Sequence, residues 1–178
     1  MRITAGAFKG RSLKSPKGLT TRPTTSRVRE ALFNILGDRI EGAKILDLFA
    51  GSGLVTFEAL SRGAASSMAL DTSAASVAAF KENAALLGVQ AHATILKSDV
   101  RKFLEKETLV QFDLIFADPP YDKGWGPYIA QKVFEKNLLK PGGILVIEEG
   151  APLAESPFSK LDVRRYGRTT LNLMMAEG

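Results

Sequence analysis

The chain has 178 residues, of which 45% are hydrophobic and 24% charged, a balance typical of one globular domain with a substantial core. It contains no cysteine, which excludes disulfides, thiolate metal sites and cysteine nucleophiles. No apolar run approaches the roughly 18 residues of a membrane span, and the first residues lack the apolar block of a secretory signal. We therefore expect a cytoplasmic protein that does not enter a membrane.

The net charge of +5 is concentrated at the start of the chain. Residues 1–29 contain eight of the 24 basic residues and none of the 19 acidic ones, so the remainder carries a net negative charge. Clustered Lys and Arg side chains bind nucleic acid because they release its counterions. We favour a phosphate-binding surface over a solvated arm, with candidate contacts at Arg2, Lys9, Arg11, Lys14 and Arg22.

A small basic β-hairpin is predicted at the N-terminus. Arg2–Ala7 and Gly10–Leu13 look like short strands on either side of a tight turn. A helix is predicted from Ser26 to Leu36, where apolar residues recur on one face. We divide the chain into a hairpin extension over residues 1–22 and a main domain over residues 23–178.

From residue 44 onward, strand-like and helical runs alternate. The predicted strands are 44–48, 68–70, 93–96, 112–117 and 144–148, and the helices between them are 54–62, 73–87, 100–105 and 128–137. This alternation predicts an α/β fold with a parallel sheet covered on both faces, because each crossover helix returns the chain to the same end of the sheet. Residues 161–166 and 169–175 are predicted to close the sheet as an antiparallel hairpin.

A glycine-rich loop follows the first of these strands. Its glycines allow the backbone to approach a ligand, and the helix that starts at Leu54 offers free N–H groups. A dinucleotide-binding fingerprint would require glycine at position 56, where the chain has Thr56, and the Gly-Lys-Ser/Thr ending of a P-loop is absent. With Asp71 near the position of a ribose-binding acid, a nucleoside without a pyrophosphate is favoured as the ligand. The candidate cofactor residues in this stretch are Asp47, Phe49, Gly51, Ser52 and Gly53.

Acidic residues stand at the carboxyl ends of the predicted strands: Asp47, Asp71, Asp99 and Asp118. Ligands of doubly wound sheets bind at this edge, and an acid in the position of Asp71 commonly binds ribose hydroxyls. Some of these acids could instead cap the next helix. Because all four are expected at one edge, we predict that they share a site.

The sequence Asp118-Pro119-Pro120-Tyr121 follows the fourth of these strands. The two prolines fix the backbone, so the Asp118 carboxylate and the Pro119 carbonyl become neighbouring hydrogen-bond acceptors. Acceptors beside the flat ring of Tyr121 suit a planar base whose exocyclic amino group donates hydrogen bonds. A strand terminator with an incidental tyrosine is the alternative, and the glycine loop at the neighbouring strand end disfavours it.

The motifs at 47–53 and 118–121 together resemble class I S-adenosylmethionine-dependent methyltransferases that modify exocyclic amines. The segment Arg-Pro-Thr-Thr-Ser-Arg-Val-Arg-Glu at 22–30, preceded by a basic hairpin, is similar more narrowly to the bacterial 16S ribosomal RNA guanine-N2 methyltransferases. The Asp-Pro-Pro-Tyr motif alone is shared with adenine-N6 enzymes acting on DNA or RNA. The narrower family prediction therefore depends mainly on residues 22–30.

The resemblance implies a Rossmann-like sheet, S-adenosylmethionine as cofactor and no metal. It implies that Asp47 and the Gly51–Gly53 loop flank the methionine moiety, that Asp71 binds the ribose, and that Asp99 and Val100 approach the adenine. It further implies that Asp118, Pro119 and Tyr121 hold the target guanine. The partner would be ribosomal RNA, in an assembling or assembled small subunit, gripped by the N-terminal hairpin with Arg22 near the site. A monomer is the default expectation.

Three other functions compete with this hypothesis: an adenine-N6 methyltransferase, a catalytically silent RNA-binding module, and a nicotinamide oxidoreductase. Thr56 and the lack of an obvious proton-transfer histidine disfavour the last, since His92 is more typical of a surface or packing residue. Trp125 and Tyr128 are equally compatible with base stacking and with packing. For Arg164, Arg165 and Arg168 we favour a solvated face over RNA contact.

Overall fold

Strands and helices alternate through the residues that the structure describes, which are 1–16, 26–106, 110–121 and 123–177 of this computed structural model. The strands are β1 (Lys44–Asp47), β2 (Ser66–Asp71), β3 (Ala93–Lys97), β4 (Phe112–Ala117), β5 (Leu139–Glu149), β6 (Ser159–Tyr166) and β7 (Thr169–Met175). The helices are α1 (Ser26–Leu36), α2 (Leu54–Ser61), α3 (Ala74–Leu87), α4 (Val100–Leu104) and α5 (Trp125–Glu135). None of the helices in this part of the chain is long and apolar enough to cross a membrane.

The strands form one sheet in the order β3-β2-β1-β4-β5-β7-β6. The pairs from β3 through β5 are parallel, and β7 is antiparallel to both β5 and β6. The chain moves outward from β1 to β2 and β3, then returns to β4 on the other side of β1. The strand order therefore reverses between β1 and β4, where doubly wound sheets bind ligands. The predicted α/β fold, with its antiparallel C-terminal hairpin, is confirmed.

Helices cover both faces of the sheet. On one face, Leu32 and Phe33 of α1 pack with Val146 and Leu171, and on the other Ile129 and Val133 of α5 pack in a second cluster. Central strand residues are consequently apolar and fully buried on both faces, which explains the continuous apolar runs in the sequence.

Two elements begin three or more residues earlier than predicted. Helix α5 begins at Trp125 rather than at Tyr128, directly after Gly124 in the left-handed conformation (φ 66°). Strand β5 begins at Leu139 rather than at Ile144, and its register with β4 shifts where residues 141–143 are accommodated. The Pro-Gly-Gly sequence at 141–143 lies within β5 and forms an irregularity in its pairing with β4.

The N-terminal segment makes a hairpin-like turn but does not form the two predicted strands. A single antiparallel bridge joins Arg2 and Ser12. The N–H groups that would extend a ladder are bonded to α2 instead, because Thr4 and Ala5 donate to Glu58, and Ala7 donates to the Ser61 carbonyl. Two apolar side chains of the segment, those of Ile3 and Leu13, are buried in the core cluster around Phe57 and Phe80. The proposed boundary at residue 22 lies outside the described residues.

The carboxylate of Glu58 ties this segment to the domain. Its side chain is completely buried and accepts hydrogen bonds from Thr4 N (2.8 Å), Ala5 N (3.1 Å), Arg62 Nε (2.9 Å) and Arg29 Nε (3.3 Å). Burial alone would raise the pKa of Glu58, but the hydrogen bonds from Thr4 and Arg62 and the charge of Arg29 lower it. These hydrogen bonds and the charge of Arg29 therefore offset the cost of burying the ionised Glu58.

Glu58→Gln should lower the free energy of unfolding at pH 7 by about 3 kcal/mol, because it leaves Arg29 buried without its counterion. Urea denaturation measures the difference. Since the pKa of Glu58 is lowered, its stabilisation is present above the ordinary value of 4.5 and is lost as the pH falls through the lowered pKa. The difference in the free energy of unfolding between wild type and Glu58→Gln should therefore become smaller at acid pH.

Lys14→Gln is the matched control, because it breaks an ion pair with Glu82 (2.9 Å) whose side chains are both exposed. The free energy of unfolding should change by less than about 0.5 kcal/mol. Equal losses in the two variants would contradict the role assigned to Glu58.

Candidate functional site

A cavity of about 870 Å³ opens at the carboxyl ends of the parallel strands. Its volume is suited to a ligand of nucleoside size. The loop after β1, the ends of β2 and β4, and the residues before α4 all contribute to its walls. The cavity brings together nearly all of the predicted cofactor and base-binding residues: Asp47, Phe49, Gly51, Ser52, Asp71, Asp99, Val100, Asp118, Pro119, Pro120 and Tyr121.

Gly53 is the one predicted cofactor residue that does not line this cavity. It precedes α2 with a positive φ of 85°, and a Cβ atom there would lie 2.5 Å from the Phe57 ring and 2.6 Å from the Phe80 ring. Glycine is therefore required at this position for close packing under the loop. Its contribution to the cavity is indirect, through the path it gives Gly51 and Ser52.

Asp47 lines the cavity, and hydrogen bonds offset only part of the cost of burying its carboxylate. The residue is 1% exposed, and its Oδ2 accepts a hydrogen bond from Thr56 Oγ1 at 2.9 Å. Its Oδ1 has no hydrogen-bond partner among the described residues. Burial raises the pKa of Asp47 to about 7, although the bond from Thr56 acts in the opposite direction. A donor or cation entering the cavity would satisfy this oxygen.

Asp71 organises the loop above Asp47. One of its carboxylate oxygens accepts from Gly51 N at 2.9 Å, and the other accepts from Ser73 N at 2.8 Å. A carboxylate oxygen has two lone pairs, so these bonds are compatible with ligand hydroxyls. Asp99 also has a structural role, since its Oδ1 caps α4 by accepting from Lys102 N at 3.1 Å. Both acids therefore shape the cavity wall as well as facing it.

Tyr121 is held against the neighbouring strands on the other side of the cavity. Its hydroxyl donates to Glu148 Oε1 at 3.1 Å and lies 3.1 Å from Thr169 Oγ1. Burial, together with the nearby charges of Glu148 and Asp118, raises the pKa of Tyr121 to about 12. The phenol therefore stays protonated at neutral pH, and its ring is fixed in place.

Three lining residues on this side were not singled out as cavity residues by the sequence: Glu148, Arg168 and Thr169. Glu148 is 3% exposed, yet it reaches the cavity from the end of β5. The rule that selected Asp47 also applies to Glu148, since it ends the predicted strand 144–148. Thr169 and Arg168 carried no comparable signal, because their position depends on β7 lying beside β5.

An aromatic cluster forms the wall near α4 and α5. Trp125 lines the cavity and packs edge-on against Phe49, with ring centroids 5.2 Å apart. The guanidinium of Arg101 stacks over Trp125 at 4.7 Å and over Tyr128 at 5.3 Å. Trp125 thus combines packing with exposure to the cavity, whereas Tyr128 packs behind it and is not part of the lining.

The N-terminal segment contributes three residues with uncharged side chains to the cavity, namely Met1, Ser15 and Pro16. Its described basic residues lie outside the cavity on the exposed surface: Arg2, Lys9, Arg11 and Lys14. Of these, Lys14 pairs with Glu82 and Arg11 donates to the Leu86 carbonyl at 3.4 Å. Arg22 is outside the described residues.

The remaining basic candidates separate in the structure. Arg168 faces the cavity, whereas Arg164 pairs with Asp162 at 2.8 Å and Arg165 donates to the Gly167 carbonyl at 3.2 Å. His92 is exposed away from the cavity, with Nδ1 3.1 Å from the Ala65 carbonyl. Arg168 is therefore the member of this group that could meet a ligand at the cavity.

Comparison with known proteins identifies the family. A family model described as conserved hypothetical protein 95 matches residues 1–175. Ribosomal RNA small subunit methyltransferase D of Escherichia coli K12 is 39% identical over 187 residues, covering 99% of this chain and 90% of that protein. The chain belongs to this methyltransferase D family. The family prediction made from the sequence motifs is confirmed.

Solved structures agree over nearly the whole fold. The structure of yhhF from Escherichia coli is 32% identical, with a TM-score of 0.91, and the match covers 99% of this chain and 98% of that one. An RNA methyltransferase from Salinibacter ruber in complex with S-adenosyl-L-homocysteine has a TM-score of 0.66 at 17% identity, covering 88% of this chain and 94% of that one. The latter similarity shows a shared methyltransferase fold.

Thr56→Val should raise the pKa of Asp47 above 7, because it removes the hydrogen bond that favours the ionised carboxyl. Carbon-13 NMR titration of the aspartate carboxyls measures the change. Ser67→Ala is the control, since Ser67 Oγ lies 3.3 Å from Thr56 Oγ1 but makes no bond to Asp47 in the described network. A wild-type Asp47 that titrates near the ordinary value of 3.8 would contradict this account of the site.

Proposed function

We propose that the protein transfers a methyl group from S-adenosylmethionine to the exocyclic N2 of a guanine in small-subunit (16S) ribosomal RNA. The observation that carries this proposal is the placement of two motifs around one cavity. The Asp47–Gly53 stretch supplies a nucleoside-cofactor half, and Asp118–Tyr121 supplies an acceptor half for an amino group. The relatives named as ribosomal RNA small subunit methyltransferase D support the same activity.

The cofactor half fits the proposed ligand. The buried oxygen of Asp47 that has no hydrogen-bond partner among the described residues suits the ammonium of the methionine moiety, and Gly51 and Ser52 offer close backbone approach. Asp71 would accept from the ribose hydroxyls, while Asp99 and Val100 would border the adenine. When bound, S-adenosylmethionine supplies a methyl group carried on a positively charged sulfur.

The acceptor half addresses the main difficulty of the reaction. An exocyclic amino nitrogen is a weak nucleophile because its lone pair is delocalised into the base. Asp118 and the Pro119 carbonyl would accept its two N–H bonds and fix its orientation, and positioning of this kind can supply several kcal/mol. Asp118 would then take up the proton that the nitrogen loses. Pro120 keeps the acceptors rigid, and the fixed ring of Tyr121 offers a flat face to the base.

The exposed basic residues of the N-terminal segment would bind the RNA around the target nucleotide. Arg2, Lys9, Arg11 and Lys14 are placed outside the cavity, as contacts to phosphates flanking a flipped base require. Arg22 belongs to the same proposed RNA surface. The substrate context that we propose is ribosomal RNA within an assembling or assembled small subunit, modified in the cytoplasm by a monomer.

The direct test offers radiolabelled S-adenosylmethionine with small-subunit particles, naked ribosomal RNA or duplex DNA, followed by nucleoside analysis. We expect labelled N2-methylguanosine from small-subunit RNA. Asp118→Ala should abolish the label while calorimetric binding of S-adenosylmethionine persists, since Asp118 contacts the base rather than the cofactor. Labelled N6-methyladenosine, or no label from active protein and unmodified RNA, would overturn the proposal.

The proposed RNA surface predicts a change in salt dependence. Lys9→Glu should weaken RNA binding and reduce the slope of log affinity against log salt by about one, because it removes one phosphate contact. Filter binding across a salt series gives the slope. Lys160→Glu makes the same charge change on β6, which is an edge strand of the sheet and is not part of the proposed RNA surface. This control should leave the slope nearly unchanged. Equal slopes for Lys9→Glu and wild type would remove Lys9 from the RNA surface.

A further inference from the structure

Glu148 is a buried acid in the acceptor half of the cavity with no role in the function proposed above. Its side chain is 3% exposed and yet lines the cavity beside Asp118, Pro119 and Tyr121. The register of β4 and β5 pairs Ala117 with Ile147, so Asp118 and Glu148, each one residue further along, stand side by side. A carboxylate this well buried is costly unless it is hydrogen-bonded.

The orientation of Glu148 is set by its neighbours. Tyr121 donates to its Oε1 at 3.1 Å, and the same hydroxyl is 3.1 Å from Thr169 Oγ1 on β7. A carboxylate can accept several hydrogen bonds at once, so the bond from Tyr121 is compatible with a second donor from the cavity. Glu148 is therefore an oriented acceptor next to the proposed target base.

The edge of guanine presents three donors in a row, which are the two N2–H bonds and the N1–H bond. Asp118 and the Pro119 carbonyl account for the amino group. We infer that Glu148 accepts the N1–H of the target guanine and thereby selects guanine over bases whose N1 is unprotonated. This inference rests on the proposed function and deepens it, since it assigns a base-specificity residue to the same cavity.

The chemistry of the alternatives makes this selection strong. Adenine and 2-aminopurine each carry an exocyclic amino group, but N1 in both is an acceptor that would face a carboxylate. A site built around a hydrogen bond rejects an analogue that lacks the partner, because buried polar groups are then left unpaired. Asp118–Tyr121 would recognise only the amino group. Glu148 would distinguish a base with N1–H from a base whose N1 is an acceptor.

The test replaces the guanosine that wild type methylates with 2-aminopurine riboside in ligated small-subunit RNA. Both RNAs keep the 2-amino group, and only guanosine has N1–H. We expect wild type to prefer guanosine in kcat/KM by roughly tenfold or more. Glu148→Gln should lower kcat/KM for guanosine. It should also reduce the ratio of kcat/KM for guanosine to that for 2-aminopurine riboside, since the glutamine amide can donate to an unprotonated N1. Comparing ratios removes the intrinsic difference in amine reactivity.

Glu149→Gln is the matched control. Glu149 is the next residue on β5, is also buried, and accepts from Gly126 N at 3.0 Å outside the cavity lining. The Glu149→Gln variant should prefer guanosine over 2-aminopurine riboside by the same ratio as wild type. Calorimetric binding of S-adenosylmethionine and thermal unfolding check that Glu148→Gln is folded.

The possible outcomes separate the two proposals. If wild type methylates both RNAs equally well, or if Glu148→Gln is folded and keeps the wild-type ratio, the role of Glu148 is overturned and the proposed function stands. If wild type labels no guanosine in any RNA, both are overturned. If Glu148→Gln does not fold, Glu148→Ala replaces it, and its ratio of kcat/KM for guanosine to that for 2-aminopurine riboside should be smaller than in wild type because the acceptor is lost. An unchanged ratio in folded Glu148→Ala would overturn the role of Glu148.

Discussion

The parallel pairing of β1 with β4 is the constraint on which the site depends. Asp47 pairs with Phe116 in this register, and Leu48 N donates to the Phe116 carbonyl at 2.9 Å. The chain leaves β1 toward β2 and leaves β4 toward β5, so the loops after the two strands diverge and a crevice opens between them. Residues about 70 positions apart in sequence therefore share one cavity, with the loop after β1 on one wall and Asp118–Tyr121 on the other.

The fold shifts the pKa values of two buried carboxyl groups in opposite directions. Glu58 accepts hydrogen bonds from the N-terminal segment, from Arg29 of α1 and from Arg62 just after α2, and its pKa is lowered. Asp47 accepts a hydrogen bond from the Thr56 hydroxyl, keeps an oxygen without a partner among the described residues, and has its pKa raised to about 7 by burial. The first arrangement stabilises the folded chain. The second leaves binding capacity in the cavity, in keeping with the tendency of perturbed groups to cluster at functional sites.

Much of this could be predicted from sequence because the signals are local. The alternation of strand-like and helical runs predicted the order of strands and helices, and acids at strand ends identified Asp47, Asp71, Asp99 and Asp118 as cavity residues. The misses are long-range effects. The two N-terminal strands are not formed beyond the Arg2–Ser12 bridge, because Glu58 and Ser61 accept the hydrogen bonds of Thr4, Ala5 and Ala7. Thr169 could be placed only once β7 was known to lie between β5 and β6.

The interior position of β7 imposes an order on how the site is built. β7 comes last among the strands in chain order, yet it lies between β5 and β6 and supplies the threonine beside the Tyr121 hydroxyl. During synthesis the cavity wall built from residues 47–100 emerges from the ribosome well before this strand. The wall that contains Tyr121 and Thr169 is complete only after β7 has inserted between β5 and β6. A nascent chain that lacks β7 therefore has only part of the cavity.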